Sequence, residues 1–202
     1  MITAILAIDE QDDVLGDFYS DCLRDLQNIE NEHVSLSYIK SHSLNEAAIS
    51  LKVPAAGKFL FLAYSHGSAN QLLSKGVNPY ISDTINTHLF KQSFFYTCSC
   101  STAIILGQSL IDNECASYIG YKDKFTVWDY NRPPFVECAN FGYKLFLQGE
   151  NIETIIAKMK DKYDEHIDNY NNDFFGSVHL LANRNALSSL GDPTHSINNI
   201  KE

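Results

Sequence analysis

The sequence predicts an α/β sandwich: a mainly parallel central sheet covered by helices on both sides. Three features carry that expectation. Short apolar runs suit strands buried on both faces, amphipathic segments alternate with them, and polar residues gather where two of the runs stop. At 202 residues, 45% hydrophobic and 20% charged, a single domain, 1–202, with one substantial core is expected.

The first run, 2–8, is rich in Ile, and helical spacing of Leu15, Phe18, Tyr19, Cys22, Leu23 and Leu26 follows it. Residues 34–39 alternate as a short strand. Ser43 is placed to cap a helix through Leu51, with Glu46 three residues on, and Pro54 closes that unit. The most apolar run, 58–64, should be a central strand, ended abruptly by Ser65-His66-Gly67. The stretch 72–81, broken by Gly76, Asn78 and Pro79, reads as a hairpin or loop, and 83–91 as a short helix. Residues 93–97 form another buried strand that runs into Cys98-Ser99-Cys100-Ser101-Thr102; Ala103, Ile104, Leu106, Gly107, Leu110 and Ile111 then have helical spacing. A fifth strand is expected at 116–120. Pro133-Pro134 introduces a helix over 135–147, Gly149 marks its end, and a second amphipathic helix covers 152–170. The Asn-rich 169–172 reads as a surface loop, and 187–190 as a last strand or loop before Gly191-Asp192-Pro193.

The net charge of −10 is unevenly spread. In the first 32 residues Asp9, Glu10, Asp12, Asp13, Asp17, Asp21, Asp25, Glu30 and Glu32 face only Arg24, so that segment carries −8. A solvated acidic helix is the reading it supports. So acidic a surface repels a phosphate backbone, so nucleic acid is not expected as a partner. No apolar run approaches membrane-spanning length, and the opening run lacks the basic lead-in and cleavage pattern of a signal peptide. Five irregularly spaced cysteines, Cys22, Cys98, Cys100, Cys115 and Cys138, do not make a disulfide framework and suit a reducing compartment; the expected location is the cytoplasm.

In parallel sheets ligands bind beyond the carboxyl ends of the strands, where His66 and Cys100 both lie. A thiolate attacks a carbonyl carbon, an imidazole carries the proton to the leaving amine, and backbone N–H groups hold the oxyanion. Gly67, without a Cβ, permits a tight turn and leaves its N–H open, and the strand-to-helix setting of Cys100 places it near a helix N-terminus that favours a thiolate. On the residues alone, a small buried thiol and a structural imidazole fit these positions as well.

The pattern also has a family likeness. An apolar strand ending in Ser65-His66-Gly67, then a second ending in Cys100-Ser101-Thr102-Ala103, resembles the His-Gly and Cys signatures of caspase-like peptidases, the clan of caspases, metacaspases, gingipains and CHAT-domain proteases. Leu106-Gly107 and Ser117-Tyr118-Ile119-Gly120-Tyr121 resemble the elements after the nucleophile in bacterial members, and Leu190-Gly191-Asp192-Pro193 resembles a motif near the end of gingipain-type domains, so the likeness covers about residues 58–195. It implies a caspase-like α/β/α sandwich and a cysteine endopeptidase that needs no cofactor. His66 would be the general acid/base, Cys100 the nucleophile, and the Gly67 and Cys100 N–H groups the oxyanion hole. Cys98 is a rival nucleophile, but Thr102, Ala103, Leu106 and Gly107 fall at family-like offsets from Cys100.

Two residues apart on a strand, Cys98 should line the same cleft as Cys100, at a position that family members use for substrate specificity. Asp123 and Asp129 are candidate anions for a substrate Arg or Lys, and Trp128 a candidate groove wall, each also readable as a solvated carboxylate or packing residue. The expected partner is a protein or peptide substrate. The chain's length leaves no room for a sensing domain, which with the likeness implies a regulatory protein partner, of the kind encoded in bacterial defence or cell-death systems. Two alternatives stand beside it: a catalytically inactive interaction module, and a metal site of Cys98, Cys100 and His66, for which Cys-x-Cys spacing is poor and a fourth ligand would have to be His88 or His179.

Overall fold

Continuous apolar runs become strands here because both faces of the sheet are covered. In the computed structural model, which describes residues 1–29, 31–53, 58–169 and 174–201, a six-stranded sheet is built from β1 (Ile2–Ile8), β2 (Val34–Lys40), β3 (Phe59–Tyr64), β7 (Phe94–Thr97), β8 (Ser117–Tyr121) and β9 (Leu187–Gly191). Their spatial order is β2-β1-β3-β7-β8-β9, parallel throughout except that β9 runs antiparallel to β8. Ala4, Leu6 and Ile8 of β1, Leu60, Leu62 and Tyr64 of β3, and Phe94 and Tyr96 of β7 point into one core; Ile5, Ala7, Phe59, Phe61, Ala63 and Phe95 point into the other.

The first core is covered by α1 (Gly16–Gln27), α4 (Pro133–Leu147), α5 (Ile152–Asn169), α6 (Phe174–Ala186) and α7 (Ile197–Lys201). The second is covered by α2 (Glu46–Lys52), α3 (Leu106–Asp112) and a small antiparallel sheet of β4 (His66–Gly67), β5 (Gln71–Ser74) and β6 (Asn78–Ser82). The result is a mixed α/β fold with a mainly parallel sheet between helical layers.

A buried polar knot sets the position of α1. Asn140 of α4 accepts from the Tyr64 hydroxyl (2.7 Å) and donates to Asp25 (2.7 Å) and to the Cys22 carbonyl (3.1 Å). The Tyr64 hydroxyl and the Asn140 amide are buried and would be costly to leave unpaired, so their bonds, which reach the half-buried Asp25, fix the register of α1 and α4 on the sheet. The acidic face of α1 is only partly solvated: Arg132 pairs with Asp21 at 2.8 Å and Lys144 with Asp25 at 2.8 Å.

Several local expectations give way. Asn45, not Ser43, caps α2, its side chain accepting from the Ala48 N–H at 3.0 Å; Ser43 lies in a preceding turn and donates to the Lys40 carbonyl. Residues 83–91 hold a turn and one short 3-10 segment, Thr87–Phe90, in place of a helix. Neither α6 nor α7 is anticipated; in α6 an outward side as apolar as the inward one blurs the contrast between the two faces. The expected loop at 169–172 and the stop at Pro54 fall at residues that, except Asn169, lie outside the described ones.

Gly191 ends β9 at φ +86°, and a Cβ there would lie 2.6 Å from the Ala116 carbonyl oxygen. Beyond it the Asp192 N–H donates to the same carbonyl (3.0 Å) and the Asp192 carboxylate accepts from Thr194. The Gly-Asp-Pro motif therefore pins the chain's end to β8. His195 follows, buried, with its Nδ1 2.6 Å from the Ser117 hydroxyl. Burial pushes the His195 pKa down, against the opposing pull of Asp192. Between that lowered value and the unfolded value of about 6.5 the unfolded chain binds more protons, so stability is full above about pH 6.5 and declines as pH falls toward the folded pKa. The urea midpoint should drop between pH 7 and pH 5, and the drop should shrink in His195→Gln; an unchanged drop would place the acid sensitivity elsewhere.

Candidate active site

Two adjacent strand tips bring the chemistry together. β3 and β7 pair in parallel with Ala63 opposite Thr97, and the Cys98 N–H extends the ladder to the Ala63 carbonyl at 3.0 Å. One residue further, the Ser99 hydroxyl donates to the Ser65 carbonyl at 2.8 Å. His66 and Cys100 thus leave the sheet from neighbouring strands at matched heights. Gly67 seals the junction: a Cβ on it would lie 2.8 Å from Thr102 Cγ2, 2.9 Å from the Cys100 carbonyl oxygen and 2.9 Å from Ser99 Cβ. The reason for glycine is this close approach, not a left-handed turn, since Gly67 is not among the residues of positive φ.

His66 is held by Asp12, a member of the acidic run near the start of the chain. Its Nε2 lies 3.1 Å from both carboxylate oxygens of Asp12, which follows β1, the strand beside β3. The Asp12 side chain is 5% exposed and its Oδ1 also accepts from the Val14 and Leu15 N–H groups, at 2.9 and 2.8 Å, opening α1. Burial opposes ionisation of Asp12, but those two N–H groups and the His66 ring outweigh it and hold the carboxyl below the usual carboxylate range. The detectable signal was the cap pattern of an Asp three residues ahead of Leu15; the partnership with His66 needed the strand order.

Cys100 is the only one of the five free cysteines that is not buried. Its Sγ accepts from the Phe125 N–H at 3.4 Å and lies 3.6 Å from the Phe125 carbonyl oxygen. Ser101, at φ +60°, turns the chain, and its N–H reaches the Asp123 carbonyl at 3.0 Å. Thr102 is buried and accepts from the Tyr118 hydroxyl at 2.8 Å. Among the described residues the Cys100 N–H has no acceptor, and His66 and Cys100 share no hydrogen bond. The wall that meets the sulfur is itself clamped: Asn183 of α6, fully buried, accepts from the Thr126 N–H (2.8 Å) and donates to the Thr126 carbonyl (2.7 Å).

The other expected site residues divide. Cys98 shares the face of Cys100 but does not line a cleft with it. It is 1% exposed under α4, its sulfur 3.4 Å from the Ala139 carbonyl, and burial pushes its thiol pKa far up. A helix N-terminus does not serve Cys100, because turns occupy 100–105 and α3 starts only at Leu106, beyond the first-turn reach of a helix dipole.

Asp123 contributes its main chain to the Cys100 turn while its exposed carboxylate accepts from the Lys124 N–H. Asp129 lines a depression of about 330 Å³ with Asp12, Asp13, Asp17 and Arg132, on the Asp12 side of His66. Trp128 stacks on Phe175 and His179 of α6 at 5.5 and 5.7 Å, which makes it a packing residue of that loop. His88 and His179 do not converge with Cys98, Cys100 and His66; among the described residues no three His, Cys, Asp or Glu side chains are arranged to hold a metal ion. No described helix is long and apolar enough to cross a membrane.

No protein-family model matches the chain, and no curated protein matches it.

Proposed function

We propose that the chain is a cysteine endopeptidase of the caspase-like kind, acting on a protein or peptide substrate. The observation that carries this reading is the placement of His66, oriented by Asp12, and of the one accessible thiol, Cys100, just beyond adjacent parallel strand tips. Asp12 holds the Nε2–H tautomer, which leaves Nδ1 as the base. The Cys100 sulfur, its proton passed to Nδ1, attacks the scissile carbonyl carbon, and the oxyanion meets the open Cys100 N–H together with Gly67. Collapse breaks the C–N bond, His66 returns the proton to the leaving amine, and a thioester remains. Water, deprotonated by His66, then hydrolyses it and frees the thiol. The step requires the His66 ring to turn toward the sulfur, and catalytic contacts commonly close only on substrate.

A second reading, an inactive interaction module, is favoured by one feature: the sulfur is engaged by Phe125 and shares no bond with His66. An electrophilic peptide probe separates the two. In the peptidase, Cys100 is labelled selectively over the four buried cysteines, and His66→Ala slows labelling about 100-fold, the scale of general acid–base assistance. Labelling at the rate of a free peptide thiol, insensitive to His66→Ala, would leave the interaction module as the reading.

A further inference from the structure

Among the described residues Asp9 is the only carboxylate residue buried whole, and half of its carboxyl group lacks a partner. It follows β1, and its N–H donates to the Tyr64 carbonyl at 3.0 Å, which sets it beside the end of β3, two residues before His66. Oδ2 accepts from the Lys75 N–H at 2.6 Å, whereas Oδ1 is buried with no hydrogen bond. An unpaired buried carboxylate oxygen is a standing cost to the fold that an apolar side chain would avoid. The cost points to a task for the other oxygen, the one on Lys75.

That oxygen holds a turn. Lys75 and Gly76, at φ +51° and +66°, form the centre of the hairpin turn between β5 and β6, which the Val77 N–H closes on the Ser74 carbonyl at 3.2 Å. Successive left-handed residues suit such a hairpin, but Lys75 carries a Cβ where Asn, Asp or Gly would be at ease. The tip, Lys75 to Val77, is exposed, and the Asp9 bond ties it to the end of β1. What the turn touches is the imidazole: a Cβ on Gly76 would lie 3.5 Å from His66 Cδ2 and 3.9 Å from its Cγ and Nε2.

We propose that Asp9 is a positioning residue for His66. It makes no hydrogen bond to the ring; it fixes the turn against the Cδ2 side of the imidazole while Asp12 holds Nε2. A half-turn of the ring about Cβ–Cγ, which would take Nε2 off Asp12, must sweep past Gly76. With the turn pinned, the ring stays with Nε2 on Asp12 and Nδ1 free as the base. Unpinned, it samples both orientations. The consequence for chemistry rests on the peptidase reading, but the geometry does not.

Nitrogen NMR of the full chain with labelled histidine, the His66 signals assigned by their loss in His66→Ala, should show a single Nε2–H tautomer at a pH where the ring is neutral. Asp9→Ala should mix the two tautomers and slow labelling of Cys100 by the electrophilic peptide probe about tenfold, less than the roughly 100-fold that accompanies a 1 Å displacement. Lys75→Pro, at an exposed position, removes the same bond from the other end and should do the same. Asp9→Asn keeps an acceptor for the Lys75 N–H and should restore the single tautomer and most of the rate. An Asp9→Ala or Lys75→Pro protein that is folded by circular dichroism, with one tautomer and wild-type labelling, overturns the proposal. If wild-type labelling ignores His66→Ala, the peptidase reading falls; tautomer mixing in the Asp9 and Lys75 variants then upholds the positioning, and a single tautomer overturns it.

Discussion

Asp12→Asn should lower kcat/KM on peptide substrates by about 10³ to 10⁴, the loss seen when a buried triad aspartate becomes an amide. The asparagine keeps a carbonyl oxygen for the Val14 and Leu15 N–H groups, so the start of α1 survives. What changes is the partner of His66 Nε2. A carboxylate accepts from Nε2–H and stabilises the imidazolium, whereas an amide can donate to Nε2 and drive the proton to the nitrogen needed as base. The fall should therefore appear in kcat, with KM little altered, and Asp12→Glu should recover part of it. Wild-type kcat in Asp12→Asn, alongside loss in His66→Ala, would reduce the Asp12–His66 pair to a structural contact. Because the Asp12 pKa is depressed in the fold, its contribution to stability is full above the unfolded value of about 3.9 and is lost as pH falls through the lower folded value. An acid limb of activity near neutral pH therefore cannot belong to Asp12.

The sheet was legible wherever burial on two faces wrote itself as unbroken hydrophobicity, as in Phe59–Tyr64 and Phe94–Thr97. The placement of His66 and Cys100 at carboxyl ends followed from the same runs. Asp12 was not legible as a partner of His66, because 54 positions separate them and only the β1–β3 pairing joins them. Nor was the Phe125–Thr126–Asn183 clamp, since a side-chain amide pairing with a main chain leaves no periodic trace. Cys98 misled for a physical reason: alternation tells which face a residue takes, but not whether a helix such as α4 closes over it. α6 was missed because its outward side is apolar, which blurs the contrast between its two faces.

Gly67→Ala should cost about 3 kcal/mol, at the upper end of overpacking in a close-packed site, and should slow labelling of Cys100 far more than the stability loss explains. None of the three atoms within 3.0 Å of the added methyl is the free end of a flexible side chain. The Cys100 carbonyl belongs to the turn itself. Ser99 is buried with its hydroxyl fixed on the Ser65 carbonyl, and Thr102 is buried beneath the Tyr118 hydroxyl. Relief must come from parting the β3 and β7 tips, and that movement carries the sulfur away from His66. A displacement of about 1 Å between reacting groups is worth about 100-fold in rate. Labelling compared at a temperature where both proteins are fully folded isolates this geometric effect from unfolding, and a urea midpoint reports the stability loss. A Gly67→Ala protein with wild-type midpoint and wild-type labelling would mean that the two tips have slack between them, and with it the physical basis for a shared His66–Cys100 site would be gone.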